Sequence, residues 1–206
     1  DLGRKSDTNT GLSSVALGRD TTATGAWSVA TGDKTVASGT AAHAEGSANA
    51  SKSYTNGGTT YHPGAIGEAS HAEGSSTYAV GIYSHAEGNE TVALGYISHS
   101  EGENAKALGR ATHAEGYDTQ ATETYAHAEG NSTRASGFNS HAEGQDTIAS
   151  STNSHAEGTG GSYSTNQGSI VSGAYSHSDH TEGYQTLAHS GYTVNNPKYG
   201  AHAEGY

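Results

Sequence analysis

The 206-residue chain has no cysteine, no methionine, one tryptophan and one phenylalanine. Without cysteine it can form neither disulfides nor thiolate metal sites, and cysteine usage leaves its compartment open. Leu, Ile and Val are scarce and only 31% of the residues are hydrophobic, which excludes a globular core of large side chains. No run approaches the roughly 20 apolar residues of a membrane-spanning helix, so no membrane insertion is expected in this segment. Nine Lys and Arg face 21 Asp and Glu, for a formal charge of −12. That balance disfavours nucleic acid, whose phosphates attract basic surfaces. No signal peptide is visible. A chain that starts at Asp1 and stops inside a repeat at Tyr206 reads as a piece of a longer protein.

What the chain does have is 30 glycines, many small residues and a strict repeat. Low hydrophobicity alone suggests disorder, but a disordered chain has no reason to keep a register. His71, His85, His99, His113, His127, His141 and His155 follow one another at 14-residue steps, and His43 lies two steps before His71. Earlier steps fall on Val29 and Val15, in SVATG and SVALG. With this position numbered 1, position 2 is Ala (Ser100 once), position 4 Gly, position 9 almost always Ala and position 11 mostly Gly. Glycine every seven residues would cost a helix about 1 kcal/mol each, and a coiled coil needs large apolar residues where Ala and Gly recur. Two short strands joined by two glycine turns account for the pattern. The expected fold is all-β: a parallel β-roll or β-solenoid with 14 residues and two strands per coil. Residues 1–14 form a lead-in, 15–158 regular coils with 47–64 a degenerate one, and 159–206 a continuation with inserted loops.

Strand alternation places the alanines at 2 and 9 inside, and positions 1, 3, 8 and 10 outside. Positions 8 and 10 vary, as on a solvated face. Positions 1 and 3 do not. They are Val15, Leu17 and Val29 in the early coils, then His and Glu: His43 and Glu45, His71 and Glu73, His85 and Glu87, His99 and Glu101, His113 and Glu115, His127 and Glu129, His141 and Glu143, His155 and Glu157, His180 and Glu182, His202 and Glu204. An outward apolar pair such as Val15 and Leu17 implies cover by a partner, most simply another copy of the chain.

SSVALGRDTTATGAWSVATGDKTVASG, residues 13–39, resembles the head repeats of YadA-like trimeric autotransporter adhesins. The His-Ala-Glu-Gly variant is similar to repeats of phage tail fibres. The resemblance implies a left-handed parallel β-roll, a homotrimer, an extracellular location on a virion tail or cell surface, and a role in attachment. It covers residues 13–46 and 70–158 best. Replacement of Val and Ile by His and Glu is the departure from the family pattern.

The His/Glu rows then read as a seam between subunits, a ladder of charge-assisted bonds. A solvated row, a metal-binding solenoid and a catalytic pair are the alternatives. Catalysis requires a differentiated cleft and a nucleophile that the pattern lacks, so no enzyme activity, resident metal or cofactor is expected. Pairing with Glu is expected to raise the His pKa, which would make stability fall as pH rises. The register breaks at 47–64, after His155 (an excess of 11 residues) and after His180 (an excess of eight). Segments 159–169 and 192–200 are rich in turn residues. Tyr54, Tyr61, Tyr163, Tyr192 and Tyr199 lie in the interruptions as candidate contacts to a host-surface glycan or protein. The expected function is a structural or receptor-binding segment of a trimeric fibre, with a passive spacer as the alternative.

Overall fold

The computed structural model describes residues 11–160, 162–165, 168–171, 173–174, 180–183, 187–188 and 202–205. It forms two compact units, Asp1–Ala107 and Leu108–Tyr206, each an all-β parallel solenoid. In the first unit the strands Val15–Arg19, Val29–Asp33, His43–Ser47, His71–Ser75, His85–Asn89 and His99–Glu103 lie side by side in one parallel sheet. The two-residue strands Thr22–Ala23, Val36–Ala37, Gly64–Ala65, Tyr78–Ala79, Val92–Ala93 and Lys106–Ala107 form a second sheet. The second unit repeats the plan. Strands from His113–Tyr117 through His127–Asn131, His141–Gln145, His155–Ala156 and His180–Gly183 to His202–Gly205 make one sheet. Gln120–Ala121, Arg134–Ala135, Ile148–Ala149, Gly173–Ala174 and Leu187–Ala188 make the other.

The interior is as thin as the alanines imply. Ala30, Ala44, Ala86, Ala114, Ala128 and Ala142 at position 2, with Ala37, Ala65, Ala79, Ala93, Ala121 and Ala135 at position 9, are at most 1% exposed. Threonine at position 7 and serine at position 14 complete the filling: Thr21, Thr91, Thr119, Ser28, Ser84 and Ser140 are buried. The serine hydroxyls are satisfied locally, with Ser84 Oγ donating to the Gly81 carbonyl and Ser140 Oγ to the Gly137 carbonyl, both at 2.7 Å. A buried methyl is worth about 0.8 kcal/mol, so no single side chain dominates. The coil-to-coil backbone ladder is the common element, as in Tyr78 N–H to Thr91 C=O at 2.9 Å and Gln120 N–H to Thr133 C=O at 2.9 Å.

The turns differ from the sequence expectation. Residues in the left-handed region occur at positions 6 and 13 and are mostly not glycine. Lys34, Glu90, Tyr83 and Ile97 hold φ of 55° to 59° in the first unit, and Asp118, Tyr125 and Asn139 hold 52° to 60° in the second. The glycine at position 4 is required twice over. Gly88 has φ +107°, and a Cβ there would lie 2.1 Å from the Gly102 carbonyl oxygen. Position 11 is a close approach without a left-handed φ, and it admits Glu123 and Ser151.

Within 47–64 only Ser47 and Gly64, at the two ends, pair in the stack, and the chain between them does not form a coil. His43–Ser47 pairs directly with His71–Ser75, and Ala37 with Ala65. The intervening chain leaves the stack as an antiparallel hairpin, Tyr54–Asn56 with Thr59–Tyr61. The insertion happens to equal one coil in length, which hid it in the sequence register. In the second unit Ser162–Thr165 and Gly168–Val171 form another antiparallel hairpin, while His155 pairs with His180 beneath it. Both hairpins leave their coil between positions 6 and 8. The loop at 192–200 lies outside the described residues, and His180 pairs with His202 across it.

Gly88→Ala is expected to destabilise the protein by more than about 3 kcal/mol, combining an overpacked backbone contact with a left-handed φ. Gly58, at φ +82° in the first hairpin with nothing within 4 Å of a Cβ, should lose only about 1 kcal/mol on substitution by Ala. Denaturant unfolding of both variants checks the difference.

Candidate interface: the histidine–glutamate face

Parallel pairing in register brings every position 1 onto the next position 1, and every position 3 onto the next position 3. The imidazoles therefore form a column. In the first unit His43, His71, His85 and His99 stack at 4.7–4.8 Å between ring centroids with interplanar angles of 0–6°. In the second, His113, His127, His141, His155 and His180 stack at 4.7–4.8 Å within 9° of parallel, and His202 tilts by 44°. Alternation puts the glutamate two residues on beside each ring. His Nε2 lies 3.4–3.7 Å from Glu Oε2 in all ten layers. Most of these side chains are half-buried, at 35% exposure for His85 and 39% for Glu87, whereas His202 and Glu204 are exposed at 55% and 70%.

The nitrogen is more deeply covered than its ring. Nε2 of His71, His85, His127, His141, His155 and His180 is shielded from solvent and makes no hydrogen bond. At 3.4 Å or more the carboxylate gives an ion-pair distance, looser than the 2.7–2.9 Å of a charge-assisted hydrogen bond. For three of the histidines the expected rise in pKa is reversed. His71, His127 and His155 are pushed below the usual histidine value, first by burial and then by the stacked histidines on either side. For His71 these neighbours are His85 and His43, and for His155 they are His141 and His180. The adjacent glutamates oppose the shift without reversing it.

Val15 and Leu17 continue this face in the first unit, 44% and 40% exposed, and Val29 is half-buried. The opposite sheet is not uniformly solvated. Tyr78 and Val92 at position 8 are buried, and Tyr54 of the first hairpin packs against Tyr78 at 6.2 Å. Lys52 Nζ reaches Glu90 Oε1 at 2.9 Å, which ties that hairpin to the stack. Tyr61 is half-buried beside it. Tyr163 lies in the second hairpin, whereas Tyr192 and Tyr199 fall outside the described residues. Sequence reasoning missed an apolar corner at positions 12 and 13. There Ile82, Tyr83, Tyr96 and Ile97 are 41–51% exposed, and Tyr83 meets Tyr96 edge-on at 5.7 Å.

Residues 10–33, 30–50 and 72–98 match the YadA head domain repeat. No curated protein sequence matches the chain.

An imidazole with a depressed folded pKa binds fewer protons folded than unfolded. Its contribution to stability is complete above the unfolded value of about 6.5 and is lost as pH falls through that value toward the folded one. Thermal melts should therefore show a lower midpoint at pH 5 than at pH 8. An equal or higher midpoint at pH 5 contradicts the lowered His71, His127 and His155.

Proposed function

Because the chain carries YadA-like head repeats, we propose that it is a segment of an extracellular trimeric fibre that attaches to a host surface, as a phage tail fibre or an adhesin head. Three copies present their His/Glu rows to one another, with Val15 and Leu17 covered at the start of the same seam. The observation that carries this reading is the constancy of His at position 1 and Glu at position 3 from His43 onward, in register from strand to strand, while positions 8 and 10 change from coil to coil. Side chains drift least where they pack. Catalysis has no place in this reading.

The hairpins supply the attachment surface. Tyr54 and Tyr61 face each other across one, and Tyr163 lies in the other. Loops on a rigid scaffold are where recognition concentrates, and tyrosine offers both a stacking face and a hydroxyl suited to a glycan.

Light scattering should give three times the 20.8 kDa chain mass; a single-chain mass overturns the seam. On immobilised host glycans, deletion of residues 49–62 is expected to reduce binding at least tenfold. Unchanged binding removes this hairpin from the attachment surface, and no binding by the intact fibre favours a passive spacer.

A further inference from the structure

Each His/Glu layer also comes close to the dimensions of a chelate. Zinc bonds imidazole nitrogen at about 2.0–2.1 Å and carboxylate oxygen at about 2.0–2.2 Å, so a tetrahedral ion spans roughly 3.3–3.5 Å between the two donors. The Nε2 to Oε2 separation is 3.4 Å for His155 and Glu157 and 3.5 Å for His127 and Glu129, within that span, and the other layers at 3.6–3.7 Å would close slightly on an ion. The nitrogens of His71, His85, His127 and His141 are shielded from solvent and make no hydrogen bond. A covered imidazole nitrogen beside a carboxylate oxygen, repeated from layer to layer, pairs a nitrogen donor with an oxygen donor.

The ion belongs within a layer and not between layers. His71, Glu73 and His85 place ligand atoms within 4.8 Å of one another, but the two rings are parallel within 1° at 4.8 Å. In-plane lone pairs on parallel rings do not converge. Even a linear N–Zn–N bridge spans only about 4.2 Å. Ions in successive layers would stand about 4.8 Å apart, wider than the roughly 3.5–4 Å of two-metal sites, and each layer brings its own negative charge.

We propose that the His/Glu layers bind borderline divalent metal ions of the zinc and nickel class, one ion to a layer, through His Nε2 and Glu Oε2. Imidazole with carboxylate suits these ions, whereas magnesium and calcium take oxygen donors. Two ligands per chain leave the remaining positions to water or to the same layer of neighbouring copies, and in that respect the complete site rests on the proposed trimer. A divalent ion would offset the mutual repulsion of the carboxylate column, and sharing one ion among the same layer of neighbouring copies would bring its charge closest to that of the carboxylates it meets.

The test is equilibrium dialysis of chelator-stripped protein against zinc chloride and, separately, magnesium chloride. Bound metal is counted by atomic absorption and mass by light scattering. Zinc uptake of several ions per chain without magnesium uptake is expected. The triple substitution Glu73→Gln, Glu87→Gln and Glu101→Gln, which keeps side-chain shape, should lower bound zinc by about three-tenths, the share of ten layers removed. Glu68→Gln, at an exposed position off the face, should change nothing. Circular dichroism checks that each variant folds. Zinc uptake that is absent, or the same in the triple variant as in the parent, overturns the proposal. A trimeric mass without zinc sinks the metal site and leaves the seam. Glutamate-dependent zinc uptake by a single-chain species supports the metal site and sinks the seam.

Discussion

The distance between the two sheets governs everything else in this molecule. With Ala30, Ala86 and Ala128 facing Ala37, Ala93 and Ala135 at essentially zero exposure, there is room inside a coil for a methyl or a hydroxyl and little more. A core this thin provides little hydrophobic stabilisation per residue. The stack must therefore rely on repetition: each coil hydrogen-bonds to its neighbours through the backbone, and stability accumulates by nearest-neighbour contacts, as in other solenoids. Small interior residues and an uninterrupted ladder are two aspects of one requirement.

The same requirement creates the His/Glu face. Once strands stack in register, any residue type repeated at one position becomes a straight column, with its neighbours fixed about 4.8 Å away. Imidazoles then stack ring on ring and carboxylates align in a like-charged row. That array depresses the basicity of His71, His127 and His155, because a proton on one ring is opposed by burial and by the rings on either side. His71, His127 and His155 are thus poor at holding protons, and the carboxylates beside them stand in a like-charged row.

The sequence made much of this legible. Alanine at positions 2 and 9 marked the interior, and His at position 1 with Glu at position 3 marked one outer face, because strand alternation converts spacing directly into direction. Three features were hidden for physical reasons. The first hairpin inserts as many residues as a coil contains, so His43 and His71 stay in register by number while the chain between them leaves the stack. The left-handed corners at positions 6 and 13 fall on Asp20, Asn104 and Asn153 but equally on Lys34, Glu90, Tyr83 and Ile97, residue types that carry no turn signal, so the geometry is imposed by the coil as much as chosen locally. The direction of the histidine shift depended on covering and on the next ring along the column, neither of which a His-x-Glu motif reveals.

Amide hydrogen exchange followed by mass spectrometry tests the coil architecture most directly. Residues 43–47 and 71–75, paired strand to strand, should be protected together as one cooperative block, while the amides of 49–62 exchange orders of magnitude faster. Protection of 49–62 equal to that of its flanking strands would mean that this segment is a coil of the stack after all, and would contradict the direct pairing of His43 with His71.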